Sequence, residues 1–337
     1  MSAPRRALLR FLAGVALGGA ALGAYLWWVG LDSVVERATR TAGWAVAVVA
    51  LLVVLEGLAD GIGVWASVRP LGEGLSPGQA VQFALAGDFF DTLSPAGPVS
   101  SEPIMAKFVG AATGTTYSEA LGVRGVAKYV KSGAQLAVST VLALVLLVGT
   151  PEARVVVTTL GVALAGLLAV GVALLWSREA TSRALVAALA PVVRIVSGLY
   201  RAEGHDRATV AAAVERFWTR VVRFRDRPGL LALVAAGGVV EQTLTAAALW
   251  AALAGTGTTV PLLPIVALVP LPQAASAVPI PASLGAYDVL LAGALALVVG
   301  VPAAATAAPV LVVRTLALPF ALSAGGVAVA FLRGWRL

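Results

Sequence analysis

Uncharged apolar runs as long as a lipid bilayer is thick recur along this chain, and nothing else in it limits the fold so severely. The clearest extend from Phe11 to Leu31, from Ser132 to Pro151, from Val155 to Ser177 and from Val289 to Val313. About 20 residues of helix cross the hydrocarbon core of a bilayer. Lipid offers backbone amides no partner, so such runs become helices that satisfy their own hydrogen bonds. Hydrophobic residues make up 59% of the 337 and charged residues only 12%. Soluble domains average about 45–50% apolar. The sequence therefore predicts an all-α polytopic membrane protein with no soluble catalytic domain.

Several chemistries lack their residues. The chain has no cysteine, which removes disulfides, thiolate metal sites and thiol nucleophiles together. Its one histidine, His205, sits in a charged polar stretch, and a metal site needs several converging donors. No P-loop, dinucleotide glycine fingerprint or nucleophile–base pair is present. The expectation is a non-enzyme without metal or cofactor and without a nucleic-acid partner.

Loop charge orients the runs, because arginine-rich loops stay in the cytoplasm. The segment Arg178–Arg227 carries ten arginines against five acids. Arg5, Arg6 and Arg10 precede the first run, and Arg333 and Arg336 follow the last. Both termini are thus expected inside. The first run reaches Trp27-Trp28 with no small-residue cleavage site, so it reads as an uncleaved helix over about 8–29. Further full crossings are expected at about 42–67, 119–149, 155–176, 229–253 and 303–331. Parity then makes Pro77–Gly110 begin and end inside, and Val260–Gly300 begin and end outside. Each is interrupted, at Leu93-Ser94-Pro95-Ala96-Gly97-Pro98 and at Pro279-Ile280-Pro281-Ala282-Ser283-Leu284-Gly285. Proline removes a backbone donor and forces its predecessor out of the helical region.

The resulting architecture is about six full transmembrane helices plus two opposed re-entrant hairpins. Such inverted repeats place a transporter's site where the broken helices meet. Two short full crossings at either hairpin satisfy the same parity. The whole is expected to be a single transmembrane domain, 1–337, with halves 1–176 and 229–337 around a basic amphipathic segment, 178–227. Leu185, Leu189, Val192, Val193 and Val196 give that segment a helical apolar stripe. It is read as a helical pair, with an anionic lipid surface as the alternative contact.

Ionisable groups within lipid cost at least a few kcal/mol and are functional candidates for that reason. Arg124, Lys128, Lys131 and Gln135 fall at i, i+4, i+7 and i+11, on one helical face. Three cations there suit a phosphate-bearing headgroup, and they equally suit a cytoplasmic flank that snorkels to the interface. Asp88, Asp91, Glu102 and Lys107 surround the first hairpin, Asp288 lies in the second, and Arg314 is in the last span. Glu56, Asp60 and the pair Glu241-Gln242 add polarity to two other spans. A structural ion-pair network and a transport path both fit these positions. Asp288, three residues after Gly285, is expected to start a helix and to pair with Arg314 or with the 124–131 cations.

Three stretches resemble the transmembrane, flippase-like region of the lysylphosphatidylglycerol synthase/flippase family. Phe89-Phe90-Asp91-Thr92-Leu93-Ser94-Pro95-Ala96-Gly97 with Ser101-Glu102 is similar to its early Pro-Gly hairpin. Glu119-Ala120-Leu121-Gly122-Val123-Arg124 resembles the start of the following helix. Pro279 to Asp288 resembles the late Pro-x-Pro-Gly-Gly hairpin, although Ala282-Ser283 stand where two glycines are usual and Asp288 where Glu is usual. The soluble aminoacyl-transferring domain of bifunctional members has no counterpart in these residues. The resemblance implies a lipid flippase in a prokaryotic cytoplasmic membrane, moving a phospholipid or polyprenyl-linked headgroup past the two hairpins. Its implied contacts are Arg124, Lys128, Lys131, Asp91, Ser94, Pro95, Glu102, Pro281, Ser283, Asp288 and Arg314, with Arg124 foremost.

Two other functions remain open on these grounds. One is a small-solute secondary transporter; the other is a non-transporting subunit of a lipid-modifying membrane enzyme. The partners expected are membrane lipids with an anionic or polyprenyl-phosphate headgroup, and a second copy or a membrane enzyme. The cysteine-free chain makes the hairpins directly testable. A cysteine at Ala96 should stay closed to a membrane-impermeant thiol reagent added outside, and one at Ala282 to the same reagent added inside. Labelling of either from the opposite face means two full crossings.

Overall fold

The structure is a computed structural model that describes residues 20, 22–71, 74–93, 98–146, 151–177, 179–183, 186–187, 207–272, 283 and 285–332. Among these residues it is helical throughout, with no strand. Residues 22–29 are the described end of the first expected helix. After it come α1 (Leu31–Thr39), α2 (Gly43–Val68), α3 (Pro77–Leu93), α4 (Pro98–Thr113), α5 (Tyr117–Leu146) and α6 (Pro151–Trp176). The second half holds α7 (Arg207–Arg223), α8 (Pro228–Gly255), α9 (Leu262–Leu268), α10 (Ala286–Val299) and α11 (Ala303–Ala330). Five of these helices, α2, α5, α6, α8 and α11, are long and apolar enough to cross a bilayer. The protein is an all-α, multi-pass membrane protein.

The bounds of the five long helices fall within a few residues of the runs read from sequence. The short helix α1 was not expected, because Asp32, Glu36 and Arg37 make its segment look like a polar loop. It forms because it buries Val34 completely while its charged face stays exposed.

The broken pairs pack at opposite ends of the bundle. Gln82 at the start of α3 donates to the Ala328 carbonyl at the end of α11 (3.0 Å). At the other end, Trp250 near the end of α8 donates to the Val260 carbonyl ahead of α9 (2.9 Å). There too Thr306 near the start of α11 donates to the Ala292 carbonyl of α10 (2.8 Å). The basic helix α7 marks the first end. Arg220 bonds Glu119 at the start of α5 through Nε (2.8 Å) and the Pro70 carbonyl just past α2 (3.0 Å). Phe217 of α7 rests on Gly122, where a Cβ would come within 2.8 Å of its carbonyl. Trp218 and Val214 meet Val186 in a small apolar cluster beneath it. The stripe at Leu185, Leu189, Val192, Val193 and Val196 lies outside the described residues.

Helices in lipid gain little from hiding apolar surface, so close backbone packing at small residues holds them together. The tightest approaches occur at glycines. A Cβ on Gly237 of α8 would lie 3.3 Å from the Gly63 nitrogen of α2. One on Gly325 of α11 would lie 2.5 Å from the Leu85 carbonyl oxygen and 2.8 Å from the Phe89 Cβ of α3. Backbone cannot yield there without moving a helix. Gly325→Ala should cost about 1–3 kcal/mol, the usual range for overpacking. Gly293→Ala, where nothing lies within 4 Å, should leave stability unchanged or improve it. Thermal unfolding of the two purified variants in detergent checks the contrast.

Candidate functional site

The helical face of α5 turns inward, and each of its cations meets acids carried by other helices. Arg124 grips Glu102 of α4 with two parallel bonds, Nε to Oε2 (2.7 Å) and Nη2 to Oε1 (2.8 Å). Arginine's planar fork makes this pairing rigid as well as strong. One turn on, Lys128 reaches Glu102 Oε1 (3.4 Å) and Asp91 Oδ2 (3.7 Å). The Ser101 hydroxyl donates to the other oxygen of Asp91. The two legs of the first broken pair are thus tied to each other and to α5, on either side of residues 94–97.

Lys131 sits deeper, between Asp60 of α2 (2.6 Å) and Glu241 of α8, with which it also pairs. It reaches both because Gly238 carries no side chain. A Cβ there would stand 2.7 Å from the Lys131 Cγ. Beside it, Gln135 donates to the Gly238 carbonyl (2.9 Å). Gln242 donates to Ser139 (2.8 Å) and to the Val266 carbonyl of α9 (2.7 Å), bringing the second broken pair into the same network.

The second pair has its own anchor. Arg314 of α11 pairs with Asp288 through Nε and Oδ1 (3.0 Å) and lies over the Tyr287 ring at 5.0 Å. The other oxygen of Asp288 accepts from the Gly285 amide (3.0 Å), closing the first turn of α10. The expected helix-start carboxylate and its expected cation are therefore both present. Ser283, just before that turn, is the one non-glycine residue at positive φ (49°) among those described. It stands where the family pattern has glycine, which adopts that conformation without a Cβ clash.

Two larger cavities among the described residues open on this network. One of about 380 Å³ is lined by Asp60, Asp88, Asp91, Arg124, Lys128 and Lys131. The other, about 270 Å³, is lined by Glu56, Gln242, Tyr287 and Arg314 among apolar side chains. Gln135 and Glu241 line both, so the Lys131–Glu241 pair stands at the partition.

This charged interior between two oppositely placed helix breaks belongs to a chain that one family model matches from residue 11 to residue 326. The chain belongs to the family described as the lysylphosphatidylglycerol synthase TM region. Comparison with curated proteins and with solved structures yields no match. Both broken pairs and every residue of the charged network fall inside the matched range.

Of the candidates, the structure brings Arg124, Lys128, Lys131, Asp91 and Glu102 into one cluster, and Asp288 and Arg314 into a second. Ser94, Pro95 and Pro281 lie outside the described residues. Lys107 is exposed on α4, away from the network. All three of the 124–131 cations pair with acids on neighbouring helices. Tyr287 and Gly238 were not among the candidates. One aromatic and one glycine pair carry no periodic signal that could have marked them.

Removing one partner of a buried pair leaves a charge without compensation, a loss of about 3–5 kcal/mol. Asp288→Asn should lower the unfolding temperature sharply, and Asp288→Asn with Arg314→Gln should recover part of the loss. A double variant that loses the sum of the two single losses in detergent would show that the pair is not coupled.

Proposed function

We propose that this chain passes the polar headgroup of a membrane lipid between leaflets, in a prokaryotic cytoplasmic membrane. The observation that carries this reading is the pair of adjoining charged cavities between the two broken helix pairs, in a bundle otherwise apolar outside. A lipid's acyl chains can stay in the bilayer while its headgroup needs polar contacts across the same depth. The family's description, which concerns a lipid synthase's membrane region, supports a lipid as the cargo.

The headgroup is a phosphate ester, of a phospholipid or a polyprenyl carrier. Arg124 presents to Glu102 the fork geometry that a phosphate would also accept. In this reading a phosphate exchanges with the Glu102 carboxylate, Lys128 adds a point charge, and Lys131 stands next on the path. Asp91, Ser94, Pro95 and Glu102 belong to the near hairpin, and Pro281, Ser283, Asp288 and Arg314 to the far one. The cavities speak against a purely supporting subunit, whose interior would be packed solid. A small soluble anion is the remaining competitor, and the same contacts would serve it.

Purified protein in liposomes carrying a fluorescent-headgroup phospholipid tests the proposal. The wild type should expose inner-leaflet probe to an impermeant quencher faster than empty liposomes do. Arg124→Ala should slow this roughly tenfold or more, since hydrogen bonds to charged groups contribute about 1.5–3 kcal/mol. Arg124→Lys should fall between them. Probe movement at the empty-liposome rate with folded wild-type protein would remove the lipid reading.

A further inference from the structure

Carboxylates outnumber cations in the interior. Arg124 is taken by Glu102, Lys128 by Asp91 and Arg314 by Asp288, while Lys131 alone serves both Asp60 and Glu241. Two further acids, Glu56 in one cavity and Asp88 in the other, make no ion pair among the described residues. Unpaired carboxylates persist in an apolar interior only with a proton or a cation on them.

A second observation is independent of that surplus. Gln242, 1% exposed, lines the smaller cavity beside Glu56 and Glu241. Its amide nitrogen is committed to Ser139 and Val266, and its carbonyl oxygen has no hydrogen-bond partner among the described residues. A buried acceptor of this kind calls for a donor. A carboxyl group that carries a proton on the cavity side is one.

The geometry points to a proton-binding site shared by Glu56 and Glu241 between α2, α8 and α11, whose proton crosses the membrane with the headgroup. The second clause rests on the lipid-translocation reading above; the first does not. Glu56 is faced by Glu241 from α8, Asp88 from α3, Lys131 from α5 and Asp60 on its own helix. Arg314 and Tyr287 complete the wall from α11 and α10. Proton entry converts one carboxylate to a neutral acid, and exit restores it, with nothing else consumed. Because Glu241 lines both cavities, a proton held there can leave to either.

Two measurements on the full chain test this. Infrared spectra of the purified protein at neutral pH should show a protonated-carboxyl band that loses intensity in Glu56→Gln or Glu241→Gln and keeps it in Glu56→Asp. A band absent in the wild type, or unchanged in both Gln variants, overturns the site. In proteoliposomes, a pH difference of about one unit should skew the steady-state leaflet ratio of a fluorescent phospholipid about tenfold for one proton per lipid. Glu56→Gln should abolish the skew. Lipid that moves with no response to the pH gradient overturns the coupling and leaves translocation standing. A response to a sodium gradient instead replaces the proton with that ion. Absence of lipid movement alongside a variant-sensitive band overturns the coupling and keeps the site.

Discussion

A single ammonium group in a low-dielectric interior organises this bundle. Lys131 rises from α5 to bond Asp60 on α2 and Glu241 on α8, so one positive charge joins three long helices. None of the three charges is tolerable alone at that depth, because burial of an unpaired ion costs several kcal/mol after all relaxation. Each therefore fixes the others. The relative rotation of α2, α5 and α8 follows from this, since a turn of any one about its axis would carry its charge out of reach.

The glycines are the geometric counterpart of that clasp. Gly63 and Gly237 let α2 and α8 approach until backbone meets backbone, and Gly238 leaves the passage through which Lys131 crosses the α8 surface. At the far side of the bundle, Gly325 and Gly57 admit α3 between α11 and α2, where Leu85 and Phe89 take the space. Dispersion at these contacts supplies the attraction that the hydrophobic effect cannot supply inside lipid. The ion pairs then choose among the rotations that close packing allows.

Around this centre the two broken pairs play unequal parts. The first is clasped by ions on both of its legs, at Asp91 and at Glu102, and both pairings end on α5. Among the described residues the second is clasped by an ion pair on one leg, by Asp288 to α11, while its other leg accepts neutral hydrogen bonds at Val266 from Ser139 of α5 and Gln242 of α8. Charge is thus concentrated towards the end marked by α7 and its arginines. On the other side Arg314, paired with Asp288, lies over an aromatic ring.

Helix content and the limits of the five long spans were legible because each is written in local pattern: run length and the placement of proline and glycine. The 124–131 face was equally legible, since residues four and seven apart share a side of a helix. Its partners were not. Asp60, Glu102 and Glu241 lie 71, 22 and 110 positions from the residues they bond (131 − 60, 124 − 102 and 241 − 131). The spacing of one helix says nothing about which face of another it will meet. Flank and interior cation look alike in sequence because both sit at the end of an apolar run. Only the packing of α2 against α8, close at Gly63 and Gly237, and of the first broken pair against α5 brought those acids to the cations.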